Sequence, residues 1–247
     1  MSLVPIISPS FTPYFPDAAI FDGTNDWLSL ASALTGAANV QDAFWRMAIK
    51  FNGGDGANQE MVHLPQGIYS HDWRRKNTNK HFFYSHDTPI SNFSFNSTGA
   101  TTITVSTGWH HLMLTIDGSA GTIHHYLNDA SDSPTNNIVN TTMSSAMTGV
   151  GIGAYQAGGN KANASFCDLI YAQEFIDISD TATRRNFINA DGTLPDWETA
   201  LAAVSTPLLA LHLDDGEAAA NFANNADGTG QALTVNGTLT SENGPNG

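Results

Sequence analysis

Positive charge is what this chain has least of. Its 247 residues hold nine Lys and Arg against 23 Asp and Glu, a formal net charge of −14. Such a surface repels the phosphate backbone of nucleic acid and the anionic face of a membrane, so neither is an expected partner. Cysteine is nearly missing too: Cys167 stands alone, and no intrachain disulfide can form. No apolar run reaches the length that spans a bilayer. Residues 1–16 lack a basic segment followed by an apolar one, so no signal peptide is expected, and synthesis in a cytoplasm follows. Amphipathic runs of Ala, Leu, Glu and Lys are scarce, which argues against long helices.

What is present is a series of short apolar runs broken by Gly, Asn and Asp. That pattern predicts an all-β chain, an antiparallel β-sandwich with one or two short helices near 180–204. The stretch Gly108–Asn128 organises it. Two apolar runs flank Asp117–Gly121, where Asp and Gly permit a tight reversal, so a β-hairpin is expected. Pairing Ile116 with Thr122 would set Leu114 against His124 and Leu112 against Tyr126. Residues 43–51 alternate, and Trp45, Met47, Ile49 and Phe51 form the face expected in the core. Residues 69–87 read as a second hairpin turning at Asn77–Asn79, with Trp73 opposite Phe83 and Asp72 opposite Tyr84. Ser179–Asp180 offers a cap for a helix through Ile188, and residues 195–204 offer a second helical turn. Residues 1–18, rich in proline, read as an extended arm. Residues 19–240 read as one domain and 241–247 as a flexible tail.

The order of landmarks is familiar. Phe21-Asp22-Gly23-Thr24-Asn25-Asp26, the alternating Trp strand, Gly108-Trp109-His110-His111 with Asp117-Gly118 beyond, a Gly-Ile-Gly strand and Asp168-Leu169-Ile170-Tyr171 follow one another. This resembles the concanavalin A-like lectin/glucanase superfamily, in particular its laminin-G-like and pentraxin-like jelly rolls, over roughly residues 19–190. In one respect the chain departs. The segment Leu211–Glu217 and its continuation to Leu239 resemble what relatives place before the Phe-Asp-Gly motif, so residues 207–240 are cyclically shifted or appended. The Asn- and Gly-rich style and the arm resemble tailed-phage virion proteins. The resemblance therefore implies a structural component of a phage particle at a virion surface or outside the cell, contacting other virion subunits through the arm as a homo-oligomer and binding surface glycans. A free lectin or adhesin, calcium-dependent or not, is the alternative, and a glycoside hydrolase the third reading.

The residues that could carry chemistry also have plainer roles. Retaining glycosidases need two carboxylates about 5–5.5 Å apart. Glu174, Asp177 and Asp168 are spaced wrongly for the superfamily's catalytic motif, so no enzyme is expected. His110, His111, His124 and His125 share one hairpin, yet the expected register sets no three on one face, and core histidines are the plainer reading. Calcium is the one cofactor that the resemblance suggests. Asp22, Asn25 and Asp26 in one loop, and Asn128, Asp129 and Asp132 in another, offer oxygens for it, though ordinary Asx turns use the same residues. The glycan-binding candidates are Tyr69, His71, Asp72, Trp73, Arg75 and Tyr84. They combine aromatic faces for stacking on sugar rings with polar groups for the hydroxyls, and the alternative is that one face of this hairpin is core.

Overall fold

The computed structural model describes residues 14–38, 40–66, 69–87, 93–132, 137–138 and 147–246. Its strands are β1 (Asp17–Asp22), β2 (Trp27–Leu30), β3 (Ala43–Phe51), β4 (Gln59–Gln66), β5 (Tyr69–Arg75), β6 (Lys80–Asp87), β7 (Phe93–Thr102), β8 (Trp109–Asp117), β9 (Thr122–Leu127), β10 (Ala130–Ser131), β11 (Asn137–Ile138), β12 (Val150–Ile152), β13 (Asn163–Ala172), β14 (Pro207–Leu211), β15 (Thr234–Asn236) and β16 (Thr240–Asn243). Two short helices, α1 (Thr181–Arg184) and α2 (Trp197–Ala202), fall between β13 and β14. Asp180 caps the first by accepting from the Ala182 and Thr183 amides, and Asp196 caps the second through the Thr199 amide. No helix among the described residues is long and apolar enough to cross a membrane.

The strands form two eight-stranded antiparallel sheets packed as a sandwich. The first runs β10-β9-β8-β3-β13-β1-β16, with β14 also paired to β13; the second runs β11-β7-β6-β5-β4-β12-β2-β15. Trp45, Met47, Ile49 and Phe51 of β3 face the second sheet, as their alternation predicts, and join one core cluster with Leu112, Leu114, Ile116, Trp73 and Phe83. β1 lies in the first sheet and β2 in the second, so the Asp22–Asp26 loop carries the chain across the sandwich.

Two expectations are corrected, and a third is made specific. The β8–β9 hairpin is one residue out of the expected register: Ile116 pairs with Ile123, Leu114 with His125 and Leu112 with Leu127. A one-residue slip moves every side chain of a strand to the other face. This register puts Ile123 and Leu127 in the core beside Leu114 and turns Tyr126 outward, and burial of the larger apolar set decides it. The histidines are re-sorted with it: His125 enters the interior, stacked on His81 with ring centroids 5.3 Å apart. Next, residues 241–246 are not a loose tail, because β16 pairs with β1 and the Asn246 amide donates to Tyr14 and Leu194 carbonyls. Residues 207–240, expected as cyclically shifted or appended strands, contribute to both sheets. β14 pairs with β13 in one sheet and β15 with β2 in the other.

The two outer faces differ. The first sheet's is covered: Phe44, Met113 and Ile170 pack against Phe187, Ile188 and Trp197 from the helical segment. Beside them Ala48 and Cys167 pack under Tyr14 and Leu194. Among the described residues, no apolar cluster covers the outer face of the second sheet.

Candidate functional site

Strand alternation decides which side chains reach that open face. β5 and β6 pair with Trp73 opposite Phe83 and Asp72 opposite Tyr84, the pairing expected from the sequence. His71, Trp73 and Arg75 therefore point one way and Asp72 and Arg74 the other. Trp73 is 1% exposed, in edge contact with Trp45 and Phe83. Arg75 is fully buried: its guanidinium lies 4.0 Å from the Phe51 ring centre and donates to Asp55 and to the Gly53 carbonyl. His71 is buried on the same inner face. The outer face keeps Asp72, Arg74, Phe82 and Tyr84.

β4 adds two more groups through an irregularity. Residues three apart in a regular strand point to opposite faces. Here the pairing with β5 slips at Met61, between Glu60 opposite Arg74 and Val62 opposite Trp73. This bulge lets both Glu60 and His63 face outward while Met61 and Val62 both enter the core. The loop after β12 closes over them. The Gly153 amide donates to the Met61 carbonyl and the Glu60 amide to the Asn160 carbonyl, which brings Tyr155 down on the His63 ring at 4.7 Å between centroids. Gly153 has φ 75°, and a Cβ there would lie 2.5 Å from the Phe21 ring, so only glycine fits that bend.

The result is a strip of charge and aromatic rings. His63 Nδ1 and Asp72 Oδ1 are 2.6 Å apart, and Arg74 donates to Asp72 Oδ2 at 3.1 Å and to the Tyr155 hydroxyl at 3.3 Å. Phe82 and Tyr84 stack at 6.0 Å with an interplanar angle of 17°. The Arg74 guanidinium and the Lys76 ammonium lie over Phe82, leaving it nearly buried. Tyr84, Arg74, His63 and Tyr155 stay partly exposed. Glu60 lies beneath, 0% exposed, and neither carboxylate oxygen has a hydrogen-bond partner. Burial, reinforced by the Asp72 charge, pushes its carboxyl well above the usual range, with Arg74 opposing. Burial likewise raises the Tyr155 and Tyr84 hydroxyls.

The expected binding set is thus divided. Asp72 and Tyr84 lie on the open face; His71, Trp73 and Arg75 belong to the interior and cannot offer a surface to a sugar. Tyr69 lies in β5, but its side chain is outside the described residues. Nothing in the local sequence pattern singles out Glu60, His63, Arg74, Phe82 or Tyr155. Parity alone could have exchanged Arg75 for Arg74, since Trp73 and Asp72 cannot share a face. The bulge and the closing loop have no local signature.

The proposed calcium loops are occupied by protein donors. Asp22 accepts from the Thr24 and Asn25 amides, and Asp26 from those of Asp22 and Thr238. Arg185 and Arg184 bind both oxygens of Asp129 and hold it down to about 2. Asp132 is taken by His81 and Thr101, and Asn128 Oδ1 by the His111 amide. These are turn and latch residues rather than a convergent ligand set. The carboxylates considered for hydrolysis are also committed. Glu174 caps the Ser205 amide, Asp177 binds Ser179, and Asp168 is buried against Arg46 and Tyr14.

These features define a two-sheet antiparallel jelly-roll sandwich in which, among the described residues, an apolar layer covers one outer face and not the other. Two solved structures share the fold over nearly the whole chain. A heptameric SAP-like pentraxin from Limulus polyphemus matches with a TM-score of 0.57 at 12% identity, over 93% of this chain and 96% of its own. A protein from Bacteroides ovatus described as carbohydrate binding matches with a TM-score of 0.61 at 13% identity, over 94% of this chain and 61% of its own. The mouse laminin α1 chain, domains LG4-5, matches with a TM-score of 0.50 at 8% identity, over 70% of this chain and 45% of its own. No protein-family model and no curated protein matches the sequence.

Proposed function

We propose that this chain is a carbohydrate-binding jelly roll without hydrolytic chemistry, taking its glycan on the outer face of the second sheet along Tyr84, Arg74 and Tyr155. The observation that carries this is the contrast between the faces. The first sheet's outer side is closed by the helical segment with Tyr14 and Leu194, while the second presents the partly exposed Tyr84 ring, Tyr155 and a guanidinium fixed by the Asp72 carboxylate beneath it. Aromatic faces take the apolar side of a pyranose, and an Asp–Arg pair binds its hydroxyls in a defined orientation. The carbohydrate binding stated for the Bacteroides ovatus neighbour supports the reading. A glycan array with wild type, Tyr84→Ala and Arg74→Ala tests it. Both variants are expected to lose at least tenfold in affinity, with the melting temperature of Tyr84→Ala close to that of wild type; a wild type silent across the array overturns it.

A second observation supports a role in a particle. The root of the N-terminal arm is locked to the sealed face: Tyr14 donates to Asp168 at 3.1 Å, and the Asn246 amide donates to the Tyr14 carbonyl. An arm leaving from that side would tether the domain with its open face outward. We therefore propose a homo-oligomeric component of a phage particle, held by residues 1–18 at the virion surface. Residues 1–13 lie outside the described residues. Size-exclusion chromatography of the full chain and of a form lacking residues 1–12 tests this. An oligomer that becomes a monomer supports it, and a full-length monomer overturns it.

A further inference from the structure

Glu60, His63 and Asp72 raise a question that sugar binding does not answer. Their three ligand atoms lie within 4.8 Å of one another, on adjacent strands, under the Tyr155 loop. A carboxylate that is fully buried yet makes no hydrogen bond is an expensive arrangement unless something else satisfies it. Arg74 does so only in part. Its Nε is 3.9 Å from Glu60 Oε2, beyond hydrogen-bond length, while its Nη2 is spent on Asp72. The Met61 bulge aims both Glu60 and His63 at this one point. Bulges that re-aim side chains are common beside functional sites.

We infer that Glu60, His63 and Asp72 form a binding site for a divalent transition-type cation such as Zn²⁺, with Arg74 holding the place until the metal arrives. The donor chemistry selects the metal class. One imidazole nitrogen and two carboxylate oxygens suit Zn²⁺, Mn²⁺ or Co²⁺, whereas Ca²⁺ wants six to eight oxygens and Mg²⁺ an octahedron of oxygens and water. Three protein ligands leave a coordination position for water or for a ligand hydroxyl. His63 Nδ1 and Asp72 Oδ1, now in contact at 2.6 Å, would separate to admit the ion. Arg74, 18% exposed, can swing its head into solvent. The inference does not depend on glycan binding, because the assay contains no sugar.

Isothermal titration of the full chain, stripped with chelator, with Zn²⁺ and separately with Ca²⁺ tests it. Wild type is expected to bind one Zn²⁺ per chain and no Ca²⁺, with a melting temperature raised by Zn²⁺. Glu60→Gln and Asp72→Asn are each expected to weaken Zn²⁺ binding at least tenfold, and Arg74→Met to strengthen it. His124→Gln, on β9 of the opposite sheet, should change nothing. Absence of heat and of a thermal shift in wild type overturns the inference, as does undiminished binding in Glu60→Gln and Asp72→Asn. If Glu60→Gln does not fold, Asp72→Asn and the wild-type thermal shift decide.

Discussion

His81 Nε2 and Asp132 Oδ2 lie 2.7 Å apart inside the sandwich, tying β6 of the second sheet to the chain just past β10 of the first. Both residues are nearly inaccessible, at 1% and 4% exposure. The Thr101 amide and hydroxyl donate to the other Asp132 oxygen at 2.9 and 2.7 Å. Removing one partner of a buried pair leaves the other uncompensated. Asp132→Ala is therefore expected to cost about 3 kcal/mol, read from urea midpoints. Gly99→Ala should weaken the same latch, because a Cβ there would fall on His81 Nε2.

Stability should fall on mild acidification. Burial holds His110 down to about 4 and His111 down to about 3, against an ordinary value of 6.5. Between pH 6.5 and 4 the unfolded chain binds protons that the folded chain refuses, so unfolding becomes easier as pH drops. The two together account for a loss on the order of several kcal/mol by the bottom of that window. Glu60 runs the other way, since its raised carboxyl takes up a proton more readily when folded. Urea midpoints measured from pH 7 to 4 in a Glu60→Gln background isolate the histidine part, and a flat profile contradicts it.

Two neighbours on one hairpin should behave oppositely. Trp73→Ala empties a core position between Trp45 and Phe83 and is expected to cost about 3–5 kcal/mol. Tyr84→Ala removes a partly exposed ring and should cost under about 1 kcal/mol. Thermal melts of the two variants check this ordering.

Cys167 should be inert in the folded protein. It is fully buried, and burial together with the adjacent Asp168 charge raises its thiol well above the ordinary range. Ellman's reagent is expected to give no colour with native protein and one thiol per chain in denaturant.

Much of the layered architecture could be read directly. The alternation of Trp45, Met47, Ile49 and Phe51, the Trp73–Phe83 pairing and the Asp180 cap are all local signals, and each appears in the structure. The site was legible only in part. Asp72 and Tyr84 sit where the hairpin reading placed aromatic and polar groups together. Trp73 was the natural anchor by residue type, yet the same bulk that suits it to sugar stacking suits it to filling the core between the sheets.

Composition and short-range pattern, by themselves, determined that this chain makes two antiparallel layers, carries an acidic surface and forms no internal disulfide. Those properties follow from residue types and a period of two, which act over a few neighbours. Only the tertiary structure decided the hairpin register, the face each histidine takes and the meeting of Glu60 with His63 and Asp72. A register is chosen by total apolar area buried across both sheets, and a bulge by what the adjoining strand and loop accept. Those are sums over residues far apart in the chain, so no single stretch of it contains the answer.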